Sequence, residues 1–266
     1  MDRRTLIKSL AAAAAVSGMA PLTASAAAER EAGPALKPAR LEPGMTVGLI
    51  APASASNNRQ HVYMAIDVLK SLGYRVKEGK HLYRRTQYLA GSDTERAEDI
   101  NAAFRDPESD GIFTLTGGYG TMRTLPHLDY EMIRKNPKVI IGYSDITGLL
   151  LGLYAKTGLV GFHGPVASSM FSDYTLAEYK KVVVNPQQRA VIGSPPQVDY
   201  PEGQTERSNR LMRFHGGTAR GRLIGGNLSL LSPLVGTPYQ PDFDGAILFL
   251  EDVNEAFYRL DRMLTH

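Results

Sequence analysis

Between Thr46 and Phe162 the chain repeats one pattern: a short apolar run breaks off at glycine, proline or a polar turn, and residues at helical spacing follow. The runs are Thr46-Val47-Gly48-Leu49-Ile50-Ala51, Gly111 to Thr116, Val139-Ile140-Ile141-Gly142 and Leu159 to Phe162. They are too short for core helices and lack the alternation of a one-sided strand, so they read as strands buried on both faces. Between them, Val62, Ala65, Ile66, Leu69 and Leu72 form a helical stripe closed by Gly73. Ala97, Ile100, Ala103 and Phe104 form another, opened by Ser92-Asp93-Thr94-Glu95. Arg75 to Glu78 supplies one more strand, and Leu125 to Asn136 reads as mostly helical. Asp145 caps a further helix that runs to Thr157. Few architectures accept this alternation. The fold class is α/β: a mainly parallel sheet with flanking helices. Ligands in such sheets bind at the carboxyl ends of the strands.

The pattern fades at residues 186–218, which are rich in Pro, Gln, Gly, Ser and Arg and read as an inter-domain connection. It resumes with Gly225-Gly226-Asn227, a short helix carrying Leu228, Leu231 and Leu234, and the strand Ala246 to Leu250. Phe257, Leu260, Met263 and Leu264 then open an amphipathic helix. The domains expected are residues 44–185, holding the candidate nucleophile, and residues 219–266, the start of a second, incomplete α/β domain.

Residues 1–26 read as a leader. Arg3-Arg4 and Lys8 precede a mildly apolar run that ends at Ala24-Ser25-Ala26, the order of a cleavable secretory signal. The arginine pair points to the twin-arginine export route and a periplasmic or exported protein. Residues 27–43 mix Ala, Glu, Pro and Lys and read as a tether. The net charge of +3 includes Arg3, Arg4 and Lys8 against Asp2, so the mature chain is near neutral. No basic stripe supports nucleic-acid binding, and no membrane association is expected after cleavage. The chain has no cysteine, which excludes thiolate zinc sites and cysteine nucleophiles. No dense ligand spacing suggests a metal, and no cofactor is expected. Oligomeric state stays open, a homodimer among the choices.

Three segments could carry chemistry. Gly117-Gly118-Tyr119-Gly120 presents Thr121 at a helix mouth, where free amides point outward. That suits either a nucleophile elbow or an ordinary capping threonine. Gly142-Tyr143-Ser144-Asp145 is a second strand-to-helix turn, but it lacks the usual glycine two residues after the serine, and capping is its expected role. Glu251 and Asp252 end an apolar strand, where one acid could serve catalysis or cap the next helix. His163, before Gly164-Pro165, reads as packed and hydrogen-bonded.

Taken together, these segments resemble the LD-carboxypeptidase family, the muramoyl-tetrapeptide carboxypeptidases. The resemblance rests on Gly48 to Ser54, Gly117 to Arg123, Pro137 to Thr147, His163-Gly164-Pro165, Gly225 to Leu228 and Leu250 to Glu255, in family order. It implies a serine-type peptidase with a Ser-His-Glu triad that removes the terminal D-alanine from murein tetrapeptides. The nucleophile maps onto Thr121, the acid onto Glu251, and the Met122 amide onto the oxyanion hole. Two departures stand out. Threonine replaces the usual serine, and its extra methyl restricts χ1. The family's histidine lies well downstream of the acid, whereas the sequence given stops at His266. A truncated, inactive chain is therefore expected. The alternatives are an exported muropeptide-binding pseudoenzyme and an amide hydrolase of the branch that confers immunity to a peptide-nucleotide antibiotic.

Overall fold

A computed structural model describes residues 35–56, 58–194, 199–206 and 210–266. The leader and the first part of the tether lie outside these residues. Five parallel strands form the main sheet in the order β2-β1-β3-β4-β5. They are β1 Thr46–Ile50, β2 Arg75–Glu78, β3 Gly111–Thr114, β4 Val139–Gly142 and β5 Phe162–His163. Apart from the two edge strands, β2 and β5, the strands follow the apolar runs. β3 and β4 are buried at every position. The last strand lies later than Leu159 to Phe162. Leu159 makes only an isolated bridge to Leu36, and ladder pairing begins at Phe162 opposite Ile141.

Helices cover both faces. α1 (Arg59–Ser71) buries Val62, Ala65, Ile66 and Leu69, as its spacing requires. α2 (Asp93–Arg105) opens with a full capping box between Ser92 and Glu95. The stretch read as one helix from Leu125 splits. A 3₁₀ turn covers Thr121–His127 and α3 covers Tyr130–Lys135, because Pro126 interrupts the first and Asp129 caps the second. α4 (Ile146–Thr157) is apolar nearly all round and buried, and Gly158 ends it in the left-handed region. α5 (Asp173–Tyr179) follows β5. The tether's later part belongs to the fold: Leu41 is wholly buried, and its amide donates to the Val183 carbonyl.

Past the irregular stretch, β6 (Arg222–Asn227) and β7 (Ala246–Glu251) pair in parallel as a second, two-stranded sheet. The short α6 (Leu228–Leu231) follows β6, and α7 (Phe257–Thr265) follows β7. Ile224, Leu231 and Leu234 join the hydrophobic cluster that holds Leu149, Leu150 and Leu153 of α4. This contact brings the carboxyl ends of β6 and β7 beside those of β4 and β5. Among the described residues, no helix is long and apolar enough to cross a membrane.

Candidate active site

The turn after β4 holds one of three non-glycine residues with a positive φ among the described residues, the others being Gln87 and Asn254. Ser144 has φ 61°, a left-handed value that a residue with a Cβ adopts at a cost. Gly142 begins the turn because a side chain there would collide: its Cβ would lie 2.4 Å from the Thr114 hydroxyl and 2.8 Å from Ile146 Cγ2. Ser144 is half-buried, and Tyr143 beside it is exposed. A serine held in a forced turn between a strand and a helix is the arrangement of a nucleophile elbow. The Asp145 amide lies at the start of α4, where the helix offers it no acceptor, so it is free to meet an oxyanion.

Asp145 was expected to cap α4, yet it is already helical (φ −56°, ψ −25°) and makes no side-chain cap. Its carboxylate turns back to accept the Thr121 amide at 2.9 Å. Its backbone carbonyl accepts the Thr121 hydroxyl. Burial pushes the Asp145 carboxyl above the usual carboxylate range, while the Thr121 amide pulls it back down.

Those contacts overturn the assignment of Thr121 as nucleophile. Thr121 is wholly buried, and its hydroxyl is spent on a backbone carbonyl. No substrate carbonyl can reach it. Met122 goes with it: it packs against α4, its Cγ 2.7 Å from where a Cβ on Gly148 would stand. The glycine turn does reach the site by its other end. A Cβ on Gly117 would lie 3.0 Å from Ser144 Cβ and 3.3 Å from its Oγ. The turn's role is to wall the serine.

Glu251 stands across from this wall at the end of β7, paired with Asn227. Its neighbour settles which acid is free. Asp252 accepts the Ser229 amide at 3.0 Å and the Ser229 hydroxyl at 2.8 Å, so it is occupied with the first turn of α6. Glu251 has a buried Oε1 with no hydrogen-bond partner. The His163 ring packs edge-on against Phe249 and Tyr143, and its Nε2 lies 4.0 Å from Glu251 Oε1. It is packed as expected but not hydrogen-bonded, since its buried Nδ1 has no partner. Burial lowers its pKa from 6.5, leaving the imidazole neutral at neutral pH.

Asn227 escaped the sequence reading as a site residue. Its backbone N–H donates to the Thr147 hydroxyl at 3.0 Å, which ties β6 to the first turn of α4, while its buried Oδ1 has no partner. Buried polar atoms without protein partners are few in folded proteins. Among the described residues there are four: Arg96 Nε, His163 Nδ1, Asn227 Oδ1 and Glu251 Oε1. Three lie at the carboxyl ends of β5, β6 and β7, and the fourth contacts the glycine turn at Gly120. Among the described residues, no three His, Asp or Glu side chains gather as metal ligands.

A parallel sheet with a left-handed serine after one strand and an acid at the end of a neighbouring sheet's strand is an arrangement suited to a serine-type hydrolase. Residues 47–164 match the LD-carboxypeptidase N-terminal domain, and residues 220–266 match the LD-carboxypeptidase C-terminal domain. The chain belongs to the LD-carboxypeptidase family. It is 40% identical over 233 residues to a probable murein peptide carboxypeptidase of Bacillus subtilis, covering 86% of this chain and 68% of that one. A murein tetrapeptide carboxypeptidase of Pseudomonas aeruginosa is 34% identical over 229 residues, covering 82% of this chain and 69% of its own length. Among solved structures, the wild-type microcin C7 self-immunity protein MccF superposes with a TM-score of 0.73 at 30% identity, covering 86% of this chain and 75% of that one. A muramoyltetrapeptide carboxypeptidase from Oxalobacter formigenes gives 0.66 at 33% identity, covering 83% and 70%.

Proposed function

We propose that this protein is an LD-carboxypeptidase acting on murein tetrapeptides, with Ser144 as nucleophile and Glu251 as the acid of the triad. The carrying observation is the Ser144 turn: a left-handed serine at the strand-to-helix junction. Ser144 Oγ attacks the carbonyl of the amide that joins an L centre to the terminal D-alanine. An imidazole takes the serine proton and returns it to the departing D-alanine amine. The Asp145 amide stabilises the tetrahedral oxyanion. Water then releases the acyl group. Neutral His163 stands beside Glu251, whereas the family resemblance places the base downstream of that acid. Export through the twin-arginine leader suits a substrate of the cell envelope.

A second reading draws on the higher TM-score to MccF: cleavage of an acyl-sulfamoyl nucleotide amide by the same serine. One MccF structure is described as an active-site mutant with a serine, an asparagine and a lysine replaced by alanine. That supports a seryl centre with an asparagine nearby, whichever amide is cut. The test incubates the purified chain with murein tetrapeptide, and in parallel with an aspartyl sulfamoyl adenosine, and measures released amino acid. Calorimetry beside it separates binding from cleavage. Tetrapeptide binding with D-alanine release that Ser144→Ala abolishes is expected. Binding with no release favours the muropeptide-binding pseudoenzyme. Release undiminished by Ser144→Ala removes the nucleophile assignment.

A further inference from the structure

Arg96 is wholly buried, an expensive place for a cation. A hydrophobic side chain would fill the same space at lower cost, so the guanidinium needs another reason to be there. Its Nη1 donates to the Pro52 carbonyl at 2.6 Å and to the Gly120 carbonyl at 2.8 Å. These acceptors lie on the loops that leave β1 and β3. Its Nη2 pairs with Asp93, which Arg123 also holds at 2.9 Å.

The two loops are already in contact. Ser54 Oγ accepts the Tyr119 amide at 3.2 Å, and a Cβ on Gly118 would lie 2.1 Å from that same oxygen. Gly120 has φ 103°, and a Cβ there would approach Arg96 Nη1 to 3.1 Å. The glycine turn is thus gripped twice at one end. Arg96 holds the carbonyl of Gly120, and the Asp145 carboxylate holds the amide of Thr121. The other end, Gly117, touches Ser144.

We propose that Arg96 is a positioning residue for hydrolysis: by fixing the Gly120 and Pro52 carbonyls, it holds the Gly117–Gly120 turn as the wall against which Ser144 reacts. The proposal rests on the reading of Ser144 as nucleophile. Arg96 touches neither substrate nor reacting atoms and acts through the turn.

The test compares Arg96→Met and Arg96→Lys with the parent 266-residue chain by hydrogen–deuterium exchange and by the rate at which a fluorophosphonate probe labels Ser144. Arg96→Met should speed exchange in peptides covering residues 51–55 and 115–121 while leaving β4 protected, and should slow labelling about tenfold. Arg96→Lys keeps a cation able to reach one carbonyl and should recover part of the labelling rate. Should Arg96→Met fail to fold, the lysine variant carries the same two measurements. Unchanged local exchange, exchange raised evenly across the sheet, or local loosening with undiminished labelling would each overturn the proposal. Ser144→Ala serves as the control: labelling that survives it removes the nucleophile reading, while the exchange data still report on Arg96.

Discussion

Replacing Ser144 by glycine should stabilise the protein while destroying its reactivity. Ser144 sits at φ 61°, where a residue with a Cβ carries about 1–2 kcal/mol of strain. Glycine relieves that strain, but it loses about 0.5–1 kcal/mol through the greater freedom of the unfolded chain. The net expectation is a gain of about 0.5–1 kcal/mol. For a domain of this size each kcal/mol moves Tm by about 2–4 °C, so Ser144→Gly should melt about 2 °C above wild type. Ser144→Ala keeps the strain and loses no cap, because α4 has no side-chain cap. It should melt with wild type. A capping serine would behave differently: alanine would cost about 1 kcal/mol and glycine a few tenths, with both variants below wild type. Calorimetric scans of the three proteins decide the matter. A glycine variant melting below wild type would refute the claim that this turn is strained to present its hydroxyl.

Thr121→Val should lower stability by about 1 kcal/mol, since it removes the hydroxyl donor to Asp145, yet leave probe labelling of Ser144 within about threefold of wild type; labelling lost with Thr121 would restore it as nucleophile. Gly117→Ala should slow labelling about tenfold with Tm nearly unchanged, because the new Cβ would press on Ser144 at 3.0 Å while the backbone tolerates it. Equal labelling rates would show that the turn does not wall the serine. Burial holds the His163 pKa below 6.5, so its contribution to stability is complete above about pH 6.5 and is lost as pH falls through the lowered value. Thermal scans at pH 7.5 and 5 should show a smaller acid loss in His163→Gln than in wild type, and an equal loss would contradict the buried, neutral imidazole.

The sheet was legible because its strands are buried on both faces and therefore carry unbroken apolar runs. β3 and β4 stand where Gly111 and Val139 begin those runs. β5 was misplaced because Leu159 to Phe162 is equally apolar, and only the register with β4 shows that pairing starts at Phe162. Glu251 was legible as the last residue of a strand and was chosen over Asp252 by the family resemblance, whereas the residues alone left the two open, since the difference depends on Ser229 turning back to occupy Asp252. The exchange of Thr121 for Ser144 has a local cause. Gly-Gly-Tyr-Gly-Thr looks like an elbow, whereas the turn proposed as one lacks the expected glycine two residues after its serine. The close approach that such a glycine permits occurs instead at Gly148, where a Cβ would meet Met122 Cγ at 2.7 Å and the Thr121 hydroxyl at 3.1 Å. The pairing of Gly142 with Gly148 around Ser144 was the signal available in the sequence. Arg96 and Asn227 carried none, because their roles arise from loops and strands distant in the chain.

The most direct test of the central claim is peptide mapping by mass spectrometry after fluorophosphonate labelling of the wild-type chain. The account predicts one adduct, on Ser144, absent from Ser144→Ala and retained in Thr121→Val. An adduct on Thr121, or labelling undiminished in Ser144→Ala, would contradict it.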